Sequence, residues 1–228
     1  MQYYKIRGNS DPKVIGVKNG IYQGEVIWKK FQEKKTAVEI QEYFSIKRYK
    51  SNLNAIEPFG YSLEYVEACK SAKMTDFFCF SPVLWGIEFF VTNKTKKIFE
   101  QFKLPQHKYI PVKIYHKNIE YDYWAIYIPY SYRLDSIDFI KTTFFKGSEL
   151  VGKQFIQFKN EVSWNSDRVF GVEQLCFNKN FDNSLDLFSS SFGGTGYYIS
   201  ERLKNGIEAA GLTGVVIREP KEPELIFE

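Results

Sequence analysis

The stretch Gly147-Ser148-Glu149-Leu150-Val151-Gly152-Lys153 has glycines and a lysine at the spacing of a phosphate-binding loop, which makes nucleotide chemistry the first to weigh. Such a loop needs Ser or Thr after the lysine to hold magnesium, and a helix N-terminus whose amides face the phosphates. Here Gln154 follows, and Phe155-Ile156-Gln157-Phe158 reads as a strand, so the expectation is a hairpin turn with a surface lysine. Gly193-Gly194-Thr195-Gly196 also runs into a strand and has no lysine. His107 and His116 each sit beside a lysine that would repel a cation, which argues against a metal site. The carboxylate pairs Asp135/Asp138 and Asp182/Asp186 have spacings common on helices and in loops, with no calcium-loop sequence after them. No serine lies in a nucleophile elbow. Cys69, Cys79 and Cys176 form no Cys-x-x-Cys pair and have apolar or aromatic neighbours, as reduced core thiols do. No catalytic residue, metal site or cofactor is therefore expected. The alternative is an enzyme of unrecognised type, or a nucleotide-binding protein using the Gly147 to Lys153 loop.

Elements to position such residues are plentiful. The 228 residues are 44% hydrophobic, enough for one large core or two small ones, and 18% aromatic, which favours strands. A net charge of +4, spread along the chain, is too small to argue for nucleic acid, and the basic residues between Lys29 and Lys50 are interrupted by glutamates. The opening MQYYKIRGNSDP lacks a signal-peptide pattern and no apolar run is long enough to cross a bilayer, so the expectation is a cytoplasmic protein without membrane contact.

Two stretches share one layout. In Gly196 to Arg218, the strand Tyr197-Tyr198-Ile199 meets Ser200 as helix cap, Leu203, Ile207 and Ala210 share a helical face, Gly211 stops the helix, and Val215-Val216-Ile217 resume as strand. Phe89-Phe90-Val91-Thr92 aligns without a gap on Tyr197 to Ser200, which puts Ile98, Phe99 and Phe102 on Gly206, Ile207 and Ala210. The fold class expected is α+β, a largely antiparallel sheet with two similar strand-helix-strand units. Residues 1–80 would be a strand-rich N-terminal part and 81–228 would hold both units, with one continuous domain as the alternative. Further expectations are a meander opening the chain (Tyr3 to Arg7, Val14 to Lys18 and Ile21 to Trp28), a helix over Ser62 to Lys73, and a hairpin of Lys108 to Tyr115 with Glu120 to Ile128. The tail Glu219 to Glu228 reads as an edge strand or a partly mobile end.

Ile199-Ser200-Glu201-Arg202-Leu203-Lys204 followed by Gly211-Leu212-Thr213-Gly214-Val215 resembles the C-terminal signature of an immunity protein family of bacterial polymorphic toxin systems. Thr75-Asp76-Phe77, Gly86-Ile87, the Val91 to Leu104 unit and Leu185-Asp186-Leu187-Phe188 resemble its middle, while residues 1–60 show no likeness. The resemblance implies a protein that binds and neutralises a cognate toxin domain, a role that needs a complementary surface and no active site. Tyrosines supply such surfaces, because they bury much area while keeping a polar tip satisfied. Tyr121, Tyr123, Tyr127, Tyr130 and Tyr132 crowd one strand and its following turn and are the expected partner-binding residues, with Tyr130 and Tyr132 foremost because they flank a turn after Pro129.

Overall fold

The computed structural model describes residues 2–18, 20–45, 47, 60–128, 134–160, 171–189, 196–220 and 223–228. Its strands are β1 (Tyr3–Gly8), β2 (Gly24–Val26), β3 (Leu63–Ala68), β4 (Phe77–Phe78), β5 (Phe80–Ser81), β6 (Phe90–Val91), β7 (Lys108–His116) and β8 (Ile119–Tyr127). They continue with β9 (Thr143–Ser148), β10 (Gly152–Ile156), β11 (Gly171–Phe177), β12 (Leu187–Ser189), β13 (Tyr197–Ser200), β14 (Val215–Arg218) and β15 (Glu224–Phe227). Among the described residues four short helices join them: α1 (Pro12–Ile15), α2 (Lys34–Tyr43), α3 (Asn93–Phe99) and α4 (Glu201–Ala209). The class is α+β. Three sheets run in the orders β4-β6-β8-β7-β3-β2-β5, β12-β13-β1-β14 and β10-β9-β11-β15. Among the described residues three pairings are parallel, β2 with β5, β3 with β7 and β11 with β15, and the rest are antiparallel.

Local chemistry sets the two expected helices. Ser200 Oγ accepts from the Leu203 amide at 3.2 Å to start α4, and Thr92 Oγ1 accepts from the Thr95 amide at 3.4 Å to start α3. Gly211, at φ +60°, turns the chain out of α4, and the Leu212 amide closes back on Ile207 O at 3.2 Å. The expected hairpin is present: β7 and β8 pair from Lys108↔Tyr127 to His116↔Ile119, with Lys117 and Asn118 both at positive φ in the turn. β15 is the expected edge strand.

The opening differs from the expected meander. β1 does not pair with its sequence neighbours; it lies between β13 and β14 in the sheet formed by the C-terminal unit. The stretch after it is helical, because Asp11 Oδ1 accepts from the Lys13 amide at 2.8 Å, Pro12 suits the first turn and Gly16 takes φ +79° at the end. The region read as a helix over Ser62 to Lys73 is β3, paired with β2 and β7. Its ladder matches Leu63 to Val112 and then Val66 to Ile114, so a bulge returns two residues three apart to one buried face and imitates a helical period.

The two similar units are equivalent strand by strand. β4-β6-β8-β7 and β12-β13-β1-β14 have the same order with every neighbour antiparallel, so β6 and β7, like β13 and β14, are parallel strands split by an intervening one. In the first unit the middle strand follows the helix; in the second it is supplied by the chain's first strand. Side chains repeat as well. Lys96 reaches Glu100 at 3.8 Å and lies 3.7 Å from the centre of the Trp124 ring, as Lys204 reaches Glu208 at 3.0 Å and lies 5.2 Å over Tyr4. Tyr123 donates to Thr75 O and Tyr3 donates to Leu185 O, both at 2.8 Å.

The units clasp each other reciprocally. The Thr213 amide, after α4, donates to Asp76 Oδ2, while the Lys103 amide, after α3, donates to Asp186 Oδ2, both at 2.9 Å. The returning bonds run from the Phe77 amide to Thr213 O and from the Asp186 amide to Lys103 O. One core serves both units, with Phe77, Phe89, Val91, Phe99 and Ile126 of the first against Tyr4, Ile6, Leu187, Ile199, Leu203 and Ile207 of the second. The outer faces are covered differently. Residues of α1 and α2 pack on the first unit, and the β9-β10-β11-β15 sheet packs on Tyr3, Phe188 and Tyr198 of the second.

Candidate interaction surface

Side chains alternate along β8, and both of its faces are occupied near its C-terminal end. Tyr121, Tyr123, Ala125 and Tyr127 face the core beneath α2, while Ile126 faces the core shared by the two units. Tyr123 and Tyr127 are each 4% exposed, so for these two the expected partner-binding role is corrected: their rings fill the interior. Tyr127 packs edge-on against Tyr43 and Phe44, and burial pushes the Tyr123 phenol up from its ordinary value. Tyr121 is half-buried at the margin of the same core. Tyr130 and Tyr132 lie outside the described residues.

The other face of β8 presents Glu120 and Asp122. Registered pairs carry a row across four strands, Glu25, Glu67, Tyr115 and Glu120. Tyr65 stacks on Tyr115 at 4.3 Å and 14°, and Lys30 lies 4.3 Å from the centre of the Tyr65 ring while reaching Glu67 at 2.9 Å. Lys113 bridges Glu120 and Asp122 at 2.6 Å each, which holds its ammonium well above its usual range and the Glu120 carboxyl below its own. These acidic and basic groups largely satisfy one another, and at solvent exposure such pairs add little stability. Sequence reasoning passed over this face, although the alternation of Glu120 and Asp122 with Tyr121 and Tyr123 marked it.

The glycine-and-lysine stretch forms the turn of the β9–β10 hairpin, and β10 starts at Gly152 and ends at Ile156, earlier than the strand Phe155 to Phe158 expected after it. Lys153 Nζ sits 2.8 Å from Glu173 and 4.6 Å from the centre of the Phe145 ring, with 14% of its side chain exposed. Gly147 and Gly152 take φ +93° and +89° at either end of the turn. Leu150 and Val151 occupy its tip at 97% and 81% exposure, with Phe155 at 57% on the strand behind them. Of the second glycine-rich stretch, Gly196 is described, at φ +144°.

The titratable groups singled out by spacing hold the fold. Asp138 caps a turn through the Ile140 and Lys141 amides, and Asp182 pairs with Lys103 at 2.7 Å, a contact that draws its carboxyl below the usual range. Asp186, 2% exposed, accepts from Ser200 Oγ at 2.5 Å and from Arg202 Nη2 at 3.0 Å. His107 Nδ1 contacts Pro105 O at 2.8 Å, and His116 Nε2 lies 3.2 Å from Lys70 O. The three cysteines are unpaired thiols, and burial pushes Cys79 up to about 11, which removes the thiolate a nucleophile needs. Among the described residues no three His, Cys, Asp or Glu side chains are grouped to hold a metal ion.

The model of the Immunity protein family (Imm11) matches residues 32–222, most of the chain. The chain belongs to that immunity protein family. The match begins at residue 32, inside the stretch 1–60 that showed no likeness, and so takes in α2 as well as β3. It also includes both split units apart from β1, and the whole β9–β10 hairpin. No curated protein matches the chain. Among the described residues no helix is long and apolar enough to cross a membrane.

Proposed function

We propose that this protein is a cytoplasmic immunity protein of a polymorphic toxin system, acting in competition between bacteria by binding a cognate toxin domain and blocking it through protein contact. Membership of the immunity family over residues 32–222 is the observation that carries this reading. The role is non-enzymatic: the reading asks for a stable scaffold and a complementary surface, and two clasped units with a common core provide such a scaffold. Tyr130 and Tyr132 are proposed contacts, following a strand whose earlier tyrosines, Tyr123 and Tyr127, are buried. The test is co-expression with the toxin encoded by the adjacent gene. The expected result is rescue of growth, and co-purification of the two proteins. Replacement of Tyr130 and Tyr132 by Ala is expected to weaken rescue without lowering the melting temperature. A parent protein that neither binds that toxin nor protects against it would refute the function; full protection by the double variant would refute only the site.

A further inference from the structure

Leu150 and Val151 stand where a hairpin turn has no need of them. The backbone reversal is carried by Gly147 and Gly152, and a Cβ on Gly147 would fall 2.2 Å from Gly152 O. Between them, turn chemistry favours Asn, Asp, Ser or Gly, yet the tip holds two branched aliphatic side chains almost wholly in water. Phe155 adds a ring on the same hairpin, and Gln157 Nε2, just beyond it, donates to the carbonyl of Ile140, itself 63% exposed. Among the described residues four large exposed hydrophobics thus fall on the hairpin and at its base, whereas Ile21, Val38, Tyr61, Val83 and Ile119 occur singly in the sequence.

The strands behind the tip are tied to their neighbours in the sheet. Lys153, the charge that would ordinarily protect a strand edge, lies across the sheet between Glu173 and the Phe145 ring. Gly171 lets that ring approach its backbone, since a Cβ there would fall 2.1 Å from Phe145 Cζ. The strands behind the tip are thereby tied to the rest of the sheet, and a few large apolar side chains can dominate an interface.

We propose that this tip, Leu150 and Val151 with Phe155 behind them, is the anchor by which the protein enters a concave apolar pocket on its toxin. The inference rests on the toxin-binding reading and adds the surface and the chemistry of the complementary site. A projecting tip fits a recess; a second copy would set one convex tip against another and leave most of both wet. The belt of paired charges on the large sheet differs in this respect, because its groups already have partners within the chain.

Calorimetry with a catalytically silent form of the toxin domain encoded next to this chain supplies the test, using the full-length protein. The Leu150→Ser/Val151→Ser double variant is expected to bind about thirty-fold more weakly or worse. Val83→Ser, which removes a similarly exposed aliphatic side chain elsewhere, is expected to bind as the parent does. Unchanged affinity in the tip variant, or an equal loss in Val83→Ser, overturns the anchor and leaves the toxin-binding reading standing. A parent protein that does not bind removes that reading, and the anchor with it. Sedimentation covers the other occupant: a parent dimer that the tip variant dissociates, with toxin affinity unchanged, assigns the tip to a second copy and overturns the proposal. Should the double variant melt lower than the parent, a photo-crosslinking residue at position 150 decides, since the anchor requires a cross-link to the toxin and its absence refutes it.

Discussion

Asp186 shows how much one side chain can be asked to hold. It caps the start of α4 through Ser200, pairs with Arg202 and receives the Lys103 amide of the other unit, all while nearly inaccessible to water. Asp186→Asn removes the charge those donors face and is expected to cost about 2 kcal/mol in urea unfolding. Asp76→Asn, at the equivalent but half-exposed site, is expected to cost roughly half as much. The cap at Ser200 and the stop at Gly211 were legible in the sequence, since both act within one helical turn. The role of Asp186 was not, because the Lys103 amide is 83 residues away and spacing carries no information about such a partner. Glu88 offers a test with the opposite sign. Burial raises its carboxyl pKa despite the attraction of Lys5, so the folded state holds the proton more tightly than the unfolded chain. Its ionisation therefore costs stability, with the cost absent below the ordinary value of 4.5 and growing as pH rises through the folded value. Glu88→Gln is expected to raise the melting temperature at neutral pH and to lose that advantage below 4.5, as thermal scans across pH would show.

The helices α3 and α4 meet where Gly206 faces Phe102 and Ile98, and each sinks its inner side into the common core. Phe99 and Leu203, both wholly buried there, belong to different units but to one packed interior. Leu203→Asp is expected to abolish the folded state, since an unpaired buried carboxylate costs several kcal/mol against a total stability of about 5–15 kcal/mol. Phe99→Asp is expected to do the same to both units at once, with tertiary signals lost together in near-UV circular dichroism. Separate transitions for the two halves would contradict the shared core. Both units were legible as strand-helix-strand because helix caps, stops and apolar spacing act locally. Their pairing was not, because sheet order is decided by strands that lie far apart in sequence. β3 misled for another reason: its bulge made Leu63 and Val66 share a face at a helical spacing.

At the scale of the molecule, β1 is interior to the sheet formed by the C-terminal unit, and β2 and β3 extend the sheet of the first. Deleting residues 2–8 is expected to remove Tyr4 and Ile6 from the shared core and to leave a chain without a cooperative thermal transition. A truncated protein that still melts sharply would show that β13 and β14 can pair without β1. The position of that strand also bears on time. Emerging from the ribosome at about 5–20 residues per second, a chain of 228 residues needs roughly 10–45 s before β14 is released, and until then one edge of its first strand has no partner. A chain interrupted before β13 and β14 leaves the ribosome with its first strand unpaired and the shared core half filled.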